Sequence, residues 1–197
     1  MAEAAKATEK DVFQHPYLQK VPVDDRNRFA NYLENNKKNH KNDEDTNLLM
    51  MYIMYSDRAD LNIIKKIVNE NPEQGVKTQN KYGISPLIAA GNNPTTSFEV
   101  FKYLIDEGAN VNDKDRFEQN ALKRHLQYKD INEDVVKLIL SKGFDATTLD
   151  KRERNRITKL LNEAQSKVSP DGPKYEWKNP HGVSITDYWC CLCLDTE

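Results

Sequence analysis

The chain has 197 residues, of which 38% are hydrophobic, and its 29 basic and 31 acidic residues leave a net charge of −2 at pH 7. This balance gives no whole-chain electrostatic argument for a nucleic acid or an anionic membrane as partner. No stretch approaches the roughly 18 uncharged apolar residues of a membrane span, and the N-terminal stretch MAEAAKATEK lacks the apolar core of a signal peptide. We therefore expect a cytoplasmic protein.

Residues 1–44 are predicted to form an arm that ends in a capping helix. Acidic side chains open the stretch 24–34, where they complement the dipole of a helix N-terminus. The buried side of this helix would consist of Phe29, Tyr32 and Leu33. Such a helix would cover the end of a helical stack.

The stretch 80–112 reads as one helix-turn-helix unit. Gly83 supplies the positive φ of a tight turn, and Ser85 is placed to cap the helix that follows. Pro86 then occupies the first helical position, where its missing N–H costs nothing. A second helix is predicted from Phe98 to Glu107, with its apolar stripe formed by Val100, Phe101, Leu104 and Ile105.

This unit closely resembles an ankyrin repeat. Ser85-Pro86-Leu87 matches the family's TPLH motif, with Ile88 in place of the histidine that ties neighbouring turns together in the family. The segment 108–112 matches the GADVN turn that ends a repeat, with Gly108 as the helix stop. The resemblance implies an all-α ankyrin-repeat solenoid that binds proteins.

The unit recurs with the period of an ankyrin array. The helix beginning Glu99-Val100 has its counterpart 35 residues later at Asp134-Val135, and a similar helix pair precedes it at residues 47–68. We predict repeats at about 45–79, 80–114 and 115–149 and a partial repeat at 150–167, hence three to four repeats in all. The remaining residues, 168–197, are predicted to form an irregular tail.

The long turns between helices resemble those of poxvirus ankyrin proteins, and secreted bacterial effectors with ankyrin repeats share the feature. The sequence holds no C-terminal F-box-like segment of the poxvirus kind. The helix predicted at 24–34 leaves a second interpretation open, in which it is a degenerate F-box-like segment of a ubiquitin-ligase substrate adaptor.

No catalytic motif or phosphate-binding loop is present, so the sequence predicts no enzyme activity, no cofactor and no metal. The four histidines are scattered along the chain and are expected to be ordinary surface or packing residues: His15, His40, His125 and His181.

The three cysteines all lie in the predicted tail, at Cys190, Cys191 and Cys193. Three interpretations stay open for them. They could pack against the stack as an apolar tail, be S-acylated and tether the chain to a membrane, or supply an incomplete set of thiolate ligands to a soft metal.

In the ankyrin family, partners contact the tips of the turns that open each repeat and the exposed side of the first helix. The resemblance therefore implies a partner-binding surface formed by Lys81, Tyr82, Ile84, Asn92, Asn93, Arg116, Phe117, Gln119, Gln127 and Tyr128. The aromatic members matter most, because aromatic and arginine side chains concentrate binding energy at interfaces. Glu118 stands where the second turn would have its glycine.

These observations predict a non-enzymatic protein-interaction factor of viral or bacterial origin that binds a host protein, such as a signalling or ubiquitin-pathway component, in the host cytoplasm. The alternatives are a membrane-tethered adaptor anchored through the acylated cysteines and a ubiquitin-ligase substrate adaptor.

Overall fold

A computed structural model describes residues 46–70 and 75–168. The predicted N-terminal capping helix, three of the four histidines and the cysteine-containing tail lie outside the described residues. Within these two ranges the chain forms helices and turns and no strand. It divides into two compact units, of which the first ends at Asp130 and the second begins at Ile131.

Among its described residues, the first unit contains five helices that pack on one another. They are α1 (Leu48–Tyr55), α2 (Leu61–Glu70), α3 (Pro86–Gly91), α4 (Phe98–Asp106) and α5 (Ala121–His125). The short helices α1, α3 and α5 pack on one another in chain order, and α4 packs on both α2 and α3. Each pair thus buries its apolar side against the next pair, as a repeat protein requires.

The three short helices of the first unit begin at the same kind of cap. The side-chain oxygens of Asn47, Ser85 and Asn120 each accept a hydrogen bond from the backbone N–H three residues later. This bond satisfies one of the donors that a helix N-terminus leaves unpaired. Pro86 follows at the first helical position, so the predicted start of α3 is confirmed.

The core of the first unit depends on close approach between α3 and α5. Every residue of α3 is buried. A Cβ atom added at Gly91 would lie 2.4 Å from the backbone oxygen of Ala121. Only glycine at the end of α3 lets the two backbones come this near.

The second helix of the central repeat has the predicted apolar stripe. Val100, Phe101 and Leu104 are fully buried and Ile105 is nearly so. The helix ends at Asp106, one residue before the predicted end, because the backbone of Glu107 has already left helical geometry with ψ near 1°. Gly108 follows with φ +91°, the left-handed conformation that the sequence predicted for it.

The second unit contains α6 (Glu133–Ser141), a short 3-10 helix (Ala146–Thr148) and α7 (Lys151–Val168). The N-terminus of α7 is a reciprocal capping box, in which Asp150 N–H donates to Glu153 Oε2 and Glu153 N–H donates to Asp150 Oδ1. Because the helix begins at this box, Asn155 lies inside α7 and does not cap it, although it is one 35-residue period beyond the cap Asn120. The apolar side of this helix is buried at Ile157, Leu161 and Ala164 and half-buried at Leu160.

Replacing Gly91 by alanine tests the close approach of α3 and α5. In an open helix this change would stabilise the fold by up to about 1 kcal/mol, because alanine has the higher helix propensity. Here the new methyl group would meet a backbone oxygen that no side-chain movement can relieve. We expect the free energy of unfolding, measured by urea titration, to fall by about 1–3 kcal/mol.

Gly143→Ala is the matched control. Gly143 has φ +79°, but no atom lies within 4 Å of an added Cβ. Its substitution should cost only the strain of a left-handed backbone, about 1 kcal/mol. A neutral or stabilising Gly91→Ala variant would show that the two helices separate at little cost.

Candidate functional site

The turn that opens the central repeat is held by one side chain. Asn80 Oδ1 accepts hydrogen bonds from the backbone N–H groups of Tyr82, at 2.9 Å, and Ile84, at 3.0 Å. The N–H of Gly83 donates to the Asn80 carbonyl at 2.8 Å, and Gly83 has the predicted positive φ of +75°. These three bonds determine the direction in which the side chains at the tip of the turn project.

The next turn has the same geometry although it lacks the glycine. Asp115 Oδ1 accepts from the N–H groups of Phe117, at 2.8 Å, and Gln119, at 3.0 Å. Glu118 takes the position of the turn glycine with φ +57°. A glutamate in this region is strained, so the surrounding hydrogen bonds must hold it there.

Asp115 also forms an ion pair. Its second carboxylate oxygen accepts from the guanidinium of Arg124, and the Asp115 side chain is almost fully buried. Burial raises the pKa of Asp115, but hydrogen bonds from Arg124, Gln119 and Phe117 and the charge of Arg124 outweigh it, so the pKa lies below the ordinary value of 3.8. Asp115 is therefore a charged group that anchors its turn to α5.

The two turns are tied to each other through the backbone. The N–H of Arg116 donates to the carbonyl of Tyr82 at 2.8 Å. A Cβ added at Gly83 would lie 2.8 Å from the carbonyl oxygen of Lys114, which shows how closely the turns approach. Ile88, which replaces the family's turn-tying histidine, is fully buried in the core. The backbone bond thus links these neighbouring turns without that histidine.

This contact brings four predicted binding residues together: Lys81, Tyr82, Arg116 and Phe117, here called the tip cluster. The guanidinium carbon of Arg116 lies 4.3 Å from the centroid of the Tyr82 ring and 4.7 Å from that of the Phe117 ring. Lys81 Nζ lies 5.0 Å from the Tyr82 centroid. Phe117 is 62% exposed and is the only large hydrophobic side chain that is exposed among the described residues.

Four other predicted binding residues lie at the opposite ends of α3 and α5: Asn92, Asn93, Gln127 and Tyr128. The Tyr128 hydroxyl donates to the carbonyl of Asn92. Asn93 is buried, and its side-chain amide donates to the carbonyls of Ile53 and Ser56 at 2.7 Å each. The structure therefore corrects the assignment of Asn93, because its polar groups hold the loop against α1 and do not face solvent.

The remaining two predicted binding residues, Ile84 and Gln119, are half-buried where each turn leads into its helix. The exposed side of the first helix, which the resemblance implied as a contact surface, does not exist on α3, because all its residues are buried. His125 at the end of α5 is buried and lies edge-on to Phe101 with ring centroids 5.5 Å apart. It is a packing residue, as predicted.

A family model for ankyrin repeats matches residues 49–150 in three copies, about half of the chain. The chain belongs to the ankyrin-repeat family. Among curated relatives, an ankyrin repeat protein of Acanthamoeba polyphaga mimivirus is 26% identical over 111 residues, which span 55% of this chain and 67% of that protein. The predicted all-α ankyrin solenoid is thereby confirmed.

Ankyrin repeats are protein-interaction modules, and the family is generally non-enzymatic. Within residues 46–70 and 75–168, no helix is long and apolar enough to cross a membrane. The residues that hold the two turns, Asn80 and Asp115, were missed as site residues by sequence reasoning. The sequence contained an indication of their role, because the two residues lie 35 residues apart and therefore occupy the same position of consecutive repeats.

Two substitutions at Asp115 should separate its two roles. Asp115→Asn keeps an acceptor for the turn N–H groups, as Asn80 does, but loses the charge that pairs with Arg124. We expect it to lower the free energy of unfolding at pH 7 by about 1–2 kcal/mol. Asp115→Ala also leaves two backbone donors without their acceptor, so its loss in urea titrations should be larger by about 1–3 kcal/mol.

The stability that the Asp115 charge contributes depends on pH in a definite direction. Because the pKa of Asp115 is lower in the folded than in the unfolded chain, its charge stabilises the fold above pH 3.8, and this contribution is lost as the pH falls through the folded pKa. The stability difference between the natural chain and Asp115→Asn should therefore shrink below that pH. A difference that stays constant from pH 7 to pH 3 would contradict a lowered pKa.

Proposed function

We propose that this ankyrin protein binds a partner protein through the tip cluster and catalyses no reaction. The observation that carries the proposal is Phe117, a large apolar side chain exposed beside the stacked Arg116 and Tyr82. Aromatic and arginine side chains are enriched at protein interfaces, where a few residues supply most of the binding energy.

The backbone beneath the cluster supports this function. Asn80 and Asp115 each fix their turn through two hydrogen bonds, and the Arg116 N–H bond to Tyr82 locks the turns together. A surface that is ordered before binding loses less conformational entropy when the partner docks. The same side chains on a flexible loop would bind more weakly.

We propose a smaller, flanking role for the opposite ends of α3 and α5. Gln127 is exposed there, and Tyr128 is half-buried with its hydroxyl bonded to Asn92. Since α3 has no exposed residue, these groups cannot join the tip cluster through a continuous surface on that helix. The tip cluster is therefore the centre of the proposed interface.

We further propose that the partner is a host protein, met in the host cytoplasm. The support is the similarity to a viral ankyrin repeat protein, together with the long inter-helix turns of the sequence. The membrane-tethered and ubiquitin-ligase alternatives depend on the cysteines at 190, 191 and 193 and on the helix predicted at 24–34. Both segments lie outside the described residues, so these alternatives stay predictions.

Quantitative affinity purification from eukaryotic cell lysate tests the interface. The tip variant combines Arg116→Ala with Phe117→Ala, and the control combines Lys102→Ala with Glu107→Ala, at and just after the exposed side of α4. All four side chains are exposed, so neither variant should disturb the core, and circular dichroism and thermal melting verify this. We expect the natural chain and the control to recover the same partner. The tip variant should recover at least about ten-fold less of it.

Recovery of the same proteins at the same levels by all three forms would show that the tip cluster is not the working surface. Loss by the control variant alone would move the interface to the exposed side of α4. Saturable turnover of any substrate by the purified chain would contradict the non-enzymatic part of the proposal.

A further inference from the structure

The guanidinium of Arg116 is placed as a recognition group. It is exposed, its carbon lies against the Tyr82 and Phe117 rings, and its own backbone N–H is bonded to Tyr82. Within residues 46–70 and 75–168, no carboxylate or carbonyl accepts a hydrogen bond from its side chain. Its planar set of five N–H donors is therefore ordered by the rings, and no acceptor in the described part of the chain binds it.

The acidic side chains nearest along the chain are all occupied by other groups. Asp115 pairs with Arg124, and Glu118 pairs with Lys114 at 2.9 Å. The Asp113 carboxylate accepts from the side-chain amide of Asn110, also at 2.9 Å. These contacts engage the carboxylates that neighbour Arg116 in the sequence, and among the described residues the Arg116 guanidinium forms no ion pair.

We propose that Arg116 recognises a carboxylate, and that the partner presents an aspartate or glutamate beside an apolar side chain that packs on Phe117. This inference rests on the proposed function and specifies its partner as an acidic peptide segment. A guanidinium accepts a carboxylate through two parallel hydrogen bonds, which fixes orientation as well as charge. Stacking on the rings orders the arginine before binding, so less side-chain entropy is lost.

A phosphoryl group would fit the same guanidinium less well. Phosphate sites gather several cations or unused backbone N–H groups around a charge near −2. Here the N–H groups of Phe117 and Gln119 already donate to Asp115, and Lys114 is paired with Glu118.

The test begins with a phage library of random 12-residue peptides selected on the immobilised full chain. We expect the enriched peptides to share an aspartate or glutamate at a constant spacing from an apolar residue. The strongest peptide is then synthesised in its natural form, with the acid replaced by its amide, and with phosphoserine at that position. Its affinity for the natural chain and for variants is measured by fluorescence anisotropy.

Arg116→Gln should lower the affinity for the acidic peptide at least about ten-fold. The amide peptide should show a similar loss of affinity for the natural chain. Combining both changes should cost little more than either one, because they remove the same interaction. Arg116→Lys should recover only part of the loss, since lysine keeps the charge but has no planar fork. Lys102→Gln removes an equal charge from the exposed side of α4 and should bind as the natural chain does.

The outcomes separate this inference from the proposed function. Peptides that require Phe117 but show no acidic position, or bind Arg116→Gln as tightly as the natural chain, would overturn carboxylate recognition and leave the tip interface standing. Phosphoserine that binds about ten-fold tighter than the acid would replace carboxylate by phosphate as the ligand. If no enriched peptide depends on either Phe117 or Arg116, both proposals fail.

Discussion

The arrangement of the turns depends on one interaction, in which a side-chain oxygen accepts the two backbone N–H groups of its own turn. Asn80 and Asp115 make these bonds at the same position of consecutive repeats. Without them, four N–H groups near the surface would turn to water, and the turns would lose their fixed direction. The fixed direction of the two turns determines where the side chains of Tyr82, Arg116 and Phe117 meet.

The arrangement of the turns also depends on the short distance between the helices beneath them. Gly91 allows α3 to approach α5 so closely that a methyl group would collide with Ala121. This packing brings residues that are one repeat apart in sequence into contact at the turn tips, so that Arg116 reaches the Tyr82 ring and carbonyl. Close packing in the core therefore creates the surface chemistry at the tips.

The chain departs from its family's usual turn chemistry at two positions. The buried Ile88 replaces the histidine of the TPLH motif. In the second turn, Glu118 replaces glycine and has a positive φ. At both positions other bonds hold the turns: the Arg116–Tyr82 backbone bond between them and the Asp115–Arg124 pair below the second. The Asp115 carboxylate of this ion pair accepts hydrogen bonds from Phe117, Gln119 and Arg124, which limits the cost of burying its charge.

The sequence by itself determined the repeat period, the cap at Ser85, the apolar stripe of α4 and the glycine stop at Gly108, because these follow from local propensities and spacing. Only the tertiary structure decided which predicted binding residues share a surface. Asn93 turned inward because carbonyls of the preceding repeat need its amide, and Arg116 joined Tyr82 because stacked repeats align their turns. Such contacts depend on distances between repeats, which a periodic pattern in one dimension does not contain.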